Sequence, residues 1–221
     1  MGVDALAGFA LAVFLEAGLF VIEYHRGGVQ IIGTWTDAAA VPIVIQVSIL
    51  LLGWIALGFW EETLFRGIVI SNAVEGLASR ELSGRAVTLG ALLSSSVVFG
   101  FGHVISGAIS TGDSLLYALV MISISGALYG WAYLLSGELA FPIGLHTGGN
   151  LATTMLISSS GATYPKVVEY SVSGRSIGFN TSDPAVLLLL FAIEFLIISG
   201  YFYLQYGAVV PNPNRSESPS V

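Results

Sequence analysis

Residues 41–60 read VPIVIQVSILLLGWIALGFW, twenty positions without a charge. At about 1.5 Å per residue a helix of that length reaches about 30 Å, the depth of a bilayer's hydrocarbon core. The stretch does not alternate apolar with polar residues and is longer than the strands of a transmembrane barrel, so it reads as a membrane-crossing helix. Five more stretches of similar length and character lie at 3–22, 86–106, 114–135, 139–158 and 185–206, and together the six fill more than half of the 221 residues.

Composition agrees. The chain is 55% hydrophobic and 10% charged, with a mean hydropathy of +0.85, whereas average globular chains carry about 25% charged residues. A soluble fold could not clothe its surface with so few charges, so the expected fold class is all-α: a polytopic transmembrane helix bundle of six or seven spans, integral to the cell membrane. The stretch at 3–22 lacks a basic n-region and a small-residue cleavage site, and reads as a retained span. One domain is expected over residues 1–210, followed by a disordered tail at 211–221, PNPNRSESPSV. Residues 159–184 are mixed and polar and belong outside the bilayer. A formal charge of -7 with seven basic residues leaves no basic stripe for a nucleic-acid partner. The absence of cysteine removes disulfides, thiolate nucleophiles and cysteine metal sites.

Against that background the polar residues inside apolar stretches are informative, since each ionisable group in lipid costs about 2.5–3.5 kcal/mol on insertion scales and needs a partner. The run from Gly58 to Ile68 reads GFWEETLFRGI. Glu62 and Arg66 are four apart and share a helix face, which makes them an ion pair. Glu61 points about 100° away, so that arginine does not serve it in the same geometry. Further on come Phe99-Gly-Phe-Gly-His103, and then His146 with Asn150 four residues later among Gly144, Gly148 and Gly149. A lone histidine in an apolar helix is usually a packing residue. Three such groups on three separate helices are a stronger signal, because Glu and His supply a base and a proton shuttle. His and Asn either donate hydrogen bonds to an oxyanion or, for the His, ligate a metal. That set is hydrolase chemistry.

Depth constrains the span count. If 41–60 were one complete crossing, Glu61 would emerge at one face while His103, late in the next crossing, lay near the other. Either the helix through Glu61 is offset so that the motif sits at mid-depth, giving six spans, or the chain bends near Gly53 and Gly58 and 59–78 forms its own span, giving seven. A straight helix over 41–78 would be about 57 Å long, too long for one crossing at ordinary tilt, which favours seven.

Glu61-Glu62-x-x-x-Arg66, Phe99-x-x-x-His103 and His146-x-x-x-Asn150, in that order, resemble the three signatures of the CPBP family of intramembrane proteases. This family comprises CAAX prenyl endopeptidases and bacteriocin-processing proteins, also called Abi, and the likeness is to the type II CAAX prenyl endopeptidases. The run from Gly126 to Pro142 is also similar to the family's stretch before its last motif, and the likeness covers about 53–156. It implies an endopeptidase that cleaves a membrane-associated substrate, CAAX-type near a C-terminus, with its active site between core helices. Glu61 would activate a water with His103, His146 and Asn150 would stabilise the oxyanion, Glu62 and Arg66 would brace the site, and Phe99 would touch substrate. The family is classed as metalloprotease-like. The residues leave open whether Glu61, His103 and His146 hold one divalent ion such as zinc or a water alone, since no His-Glu-x-x-His helix is present. The implied partners are a membrane protein or lipidated peptide as substrate, and the bilayer.

Rival readings fit less of the chain. A rhomboid-like serine protease would need a histidine two spans after Ser125, and 185–206 contains none. Aspartyl chemistry fails because Asp4, Asp37, Asp113 and Asp183 lie outside spans or at their edges. The alternative from another class is a non-catalytic binding or immunity protein, or a small transporter, that uses the same polar cluster. Glu16 and Glu194, carboxylates in the first and last spans, fit it, but the two related halves with broken helices that transporters show are missing from the sequence.

Overall fold

In the computed structural model the described residues are 2–36, 41–106, 115–159, 164–173, 184–207 and 209. The tail expected at 211–221 and the joint at 107–113 lie outside them. In chain order the elements are α1 (Gly2–His25), β1 (Val29–Thr36), α2 (Ile43–Glu62), a π-helical stretch (Thr63–Ile70) and α3 (Ser71–Ala78). They continue with α4 (Gly84–Ile105), α5 (Leu115–Ser136), α6 (Ala140–Leu151), a second π-helical stretch (Ala152–Leu156), β2 (Ile157–Ser159), β3 (Lys166–Val172) and α7 (Pro184–Tyr206).

The chain is mostly helical. Among the described residues five helices are long and apolar enough to cross a membrane: Gly2–His25, Ile43–Ala78, Gly84–Ile105, Leu119–Ser136 and Leu188–Tyr206. Helical structure runs unbroken through Gly53 and Gly58. Ile43–Ala78 runs on as one helix of 36 residues, its periodicity loosened at the π-helical stretch instead of broken, because no proline interrupts it. The apolar stretch at 139–158 forms the shorter α6, whose π-helical extension gives way to β2.

The described residues fall into two compact units. The first comprises Met1–Phe59 and Ile143–Leu190. There α6 lies directly on α1: a methyl group at Gly144 would collide with the Ala5 carbonyl, and one at Gly148 would come within 2.5 Å of the Phe9 carbonyl. Small residues four apart let helix backbones meet closely where no hydrophobic effect drives them together. Helix contact is therefore what these two glycines provide, while a methyl group at Gly149 would meet nothing. α2 joins the same unit through Trp54, whose Nε1 donates to Thr154 Oγ1 at 3.1 Å and whose carbonyl accepts from Thr147 Oγ1 at 3.5 Å.

This unit also adds a small sheet to the expected helical bundle. β1 and β3 pair antiparallel, β2 adds parallel to β3, and the sheet order is β1-β3-β2. VQIIGTWT and KVVEYSV are rich in β-branched and aromatic residues, which suits a pleated surface. Val29 and Tyr170 bury against Phe20 of α1, and the register shifts between Ile31 and Gly33. Burial, and after it the Glu16 carboxylate, raise the Tyr170 phenol above its ordinary pKa.

Glu169 of β3 sits between two donors, Lys166 Nζ at 2.8 Å and Thr36 Oγ1 at 3.0 Å. The Lys166 bond first, and then the Thr36 bond, hold its carboxyl below the usual carboxylate range. A carboxyl depressed in the folded state adds stability that is complete above its unfolded value of about 4.3 and is lost as pH falls through the lower folded value. The β1–β3 amides are accordingly expected to stay protected from hydrogen exchange at pH 7 and to lose protection below about pH 4. Glu169→Gln should flatten that dependence.

The second unit comprises Trp60–Pro142 and Phe191–Val221. Its core is Ile70 and Val74 against Val87, Ala91 and Leu134. α4 starts at Ser83, whose hydroxyl accepts from the Ala86 N–H at 3.4 Å. α7 attaches through Ser199, which accepts from Trp131 Nε1 at 2.9 Å, and through Phe202, whose ring centre is 4.8 Å from that of Phe141.

Candidate active site

Glu61 and Glu62 are the last two residues of α2, and the π-helical stretch begins at once after them. The two carboxylates meet different surroundings. Glu62 Oε1 accepts from Arg66 Nη1 at 3.1 Å, and both side chains are fully buried. Arg66 Nη2 donates to the Gly126 carbonyl of α5 at 2.9 Å. The guanidinium carbon lies 4.6 Å from the ring centre of Phe99, 5.3 Å from Tyr129 and 5.9 Å from Phe65. The guanidinium is thus packed on aromatic faces and bonded through Nη1 and Nη2 to a carboxylate and a carbonyl, while its buried Nε has no hydrogen-bond partner among the described residues. This pair joins α2, α4 and α5 and is sealed from any substrate.

Glu61 turns toward α4. Its Oε2 is 3.8 Å from His103 Nε2, and the side chains keep 16% and 23% of their surface exposed. That partial exposure separates this pair from the sealed Glu62–Arg66 pair, although Glu61 Oε2 itself is buried. His103 Nδ1 is 3.0 Å from the Phe99 carbonyl. A carbonyl only accepts, so Nδ1 carries a proton, and Nε2 is the ring nitrogen that faces Glu61. The 3.8 Å separation exceeds a direct hydrogen bond and suits a bridging water.

Phe99, expected at the substrate, is 3% exposed. Its ring stacks on Arg66, lies 4.4 Å from the His103 ring and meets Phe65 edge-on at 5.0 Å. These contacts are with the protein itself. His146 and Asn150 lie on α6 in the first unit. His146 is 5% exposed, and the Asn150 carbonyl accepts from the Thr154 and Thr153 hydroxyls. Ser95, which with Ser94 and Ser96 reads in the sequence only as a small residue that lets helices approach closely, is fully buried and donates to the Phe65 carbonyl at 2.8 Å. Its signal was the spacing of four that sets Ser95, Phe99 and His103 on one face of α4.

A catalytic zinc ordinarily takes three protein ligands. Glu61 and His103 offer two donors, and among the described residues no group of three or more His, Cys, Asp or Glu could hold a metal ion. The described donor set therefore does not match such a site.

Residues 43–152 match the family model described as type II CAAX prenyl endopeptidase, Rce1-like. The matched stretch is about half the chain. It begins where α2 begins, ends just past α6, and contains Glu61, Glu62, Arg66, Phe99, His103, His146 and Asn150. No curated protein and no solved structure matches the chain.

Proposed function

We propose that this chain, a member of the Rce1-like type II CAAX prenyl endopeptidase family through residues 43–152, is an intramembrane endopeptidase that hydrolyses a peptide bond with a water activated by Glu61. Membership in the family implies a protease. The observation that carries the finer reading is the partly exposed Glu61–His103 pair, 3.8 Å apart, with an imidazole proton held at Nδ1 by the Phe99 carbonyl. A water between the two gives a proton to the Glu61 carboxylate as its oxygen attacks the scissile carbonyl carbon. The carbonyl becomes a tetrahedral oxyanion, for which the family resemblance implies His146 and Asn150 as hydrogen-bond donors. When the C–N bond breaks, the proton held at Glu61 passes to the leaving amine, so acid and base roles alternate on one carboxyl. The substrate class is a membrane protein or lipidated peptide cut near its C-terminus. Protein in lipid vesicles should cleave a peptide carrying a lipidated C-terminal tetrapeptide, with the released fragments measured by mass spectrometry. Failure to cut it or any membrane-inserted peptide removes the reading.

The sheet bears on the span count. β1 and β3 are neighbours in it and so lie at one membrane face, which requires an even number of crossings between them. Ile43–Ala78, α4 and α5 are three of the five candidate spans among the described residues, and with the shorter α6 counted as a fourth crossing between the strands the reading is six in total. Seven would place the two strands on opposite faces. Glu61 is 18 residues from Ile43 and 17 from Ala78, so a centred crossing sets it at mid-depth. The chain has no cysteine, so single introduced cysteines report cleanly. At positions 30 and 164 they should label from one face and at 79 from the other. Seven crossings would put 30 and 79 together.

A further inference from the structure

Ser94, Ser95 and Ser96 stand in a row on α4, yet their hydroxyls act differently. Ser94 donates to the Gly90 carbonyl and Ser96 to the Leu92 carbonyl, each at 2.7 Å and each within their own helix. Ser95 reaches out of it, donating to the Phe65 carbonyl at 2.8 Å from a fully buried position. Phe65 belongs to the π-helical stretch that begins directly after Glu62. Along one face of α4, Ser95 meets the Phe65 carbonyl, Phe99 the Arg66 guanidinium and His103 the Glu61 carboxylate. Three rungs of one helix, four residues apart, thus meet three groups of the other at 65, 66 and 61.

The middle and outer rungs already have a purpose, and the first has a specific one. A π-helical turn holds one residue more than an α turn, is rare, and recurs at functional sites. Its presence puts the helix on its two sides out of phase. Ile70 and Val74 are anchored in the core with Val87, Ala91 and Leu134, so a collapse of the π turns to α-helix would rotate the other side, where Glu61 and Glu62 stand. We infer that Ser95 is a positioning residue of the hydrolytic site: by holding the Phe65 carbonyl it fixes the π register that turns Glu61 to His103. The inference rests on the reading of Glu61 and His103 as the reacting pair.

Two measurements on the full chain in lipid vesicles test it. The first is the steady-state kinetics of lipidated-peptide cleavage. Ser95→Ala should lower kcat by about 10- to 100-fold, the size of effect a small misplacement of reacting groups produces, with KM within about twofold. Ser96→Ala removes the same atom from the neighbouring residue and should leave both constants at wild-type values. Ser95→Cys, similar in size with a weaker donor, should fall between, and it carries the test if Ser95→Ala does not fold. The second is hydrogen exchange of the amides at 61–70, which needs no activity. Exchange should quicken in the Ser95 variants and not in Ser96→Ala. Wild-type kcat in folded Ser95→Ala, beside an inactive Glu61→Gln, overturns the role of Ser95 and leaves the proposed function standing. Unchanged exchange at 61–70 overturns it whether or not the wild-type protein cleaves the peptide.

Discussion

Replacing Glu61 by glutamine is expected to lower cleavage by about 10²- to 10⁴-fold, the contribution a positioned general base makes. Glutamine keeps the volume of glutamate and the helix propensity, so the protein should melt at nearly the wild-type temperature. What disappears is the anionic oxygen 3.8 Å from His103 Nε2, and with it the acceptor for the water's proton. The loss should fall on kcat, because a base acts in the transition state and not in binding. Glu62→Gln makes the informative contrast. It also removes a carboxylate, but one that is fully buried and bonded to Arg66, so its effect should appear first in thermal stability. A protein that used the polar cluster only for binding or transport would show no cleavage for either variant to change.

The second large effect is on folding. Arg66→Leu leaves Glu62 fully buried without its guanidinium and removes the bond to the Gly126 carbonyl. Breaking a buried ion pair by deleting one partner is destabilising by about 3–5 kcal/mol, since an uncompensated charge stays in a low dielectric. Replacing both partners together, Glu62→Gln with Arg66→Met, should recover much of that loss, because no charge then remains to be buried. The measurement is the thermal midpoint of the purified variants in detergent. A single variant as stable as the double would mean that the pair does not hold α2, α4 and α5 together.

What could be read in the sequence follows from range. Five of the six apolar stretches return as candidate spans, legible because apolar length is a local property, and the Glu62–Arg66 pair was legible because a spacing of four is fixed by the helix itself. The sheet was not legible: VQIIGTWT and KVVEYSV lie more than a hundred residues apart, and nothing local says that they pair. Their polar surroundings made them look like loop. The continuous helix Ile43–Ala78 was hidden for another reason. Its length and the depth of Glu61 relative to His103 favoured two spans, whereas the helix carries on through π turns at Thr63–Ile70, a change too small for apolar periodicity to register. Ser95 escaped because a serine in an apolar helix usually bonds its own preceding turn, as Ser94 and Ser96 do. Only the coordinates distinguish the one that crosses to a neighbour.

The central claim is that Glu61 directs a water at a peptide bond. It is tested most directly by incubating the protein in vesicles with a lipidated peptide in ¹⁸O-labelled water and weighing the products. The account predicts cleavage at one bond by the wild type, one ¹⁸O in the new carboxylate, and no product above background from Glu61→Gln. An intact peptide with the wild-type protein, or cleavage by Glu61→Gln at the wild-type rate, would contradict it.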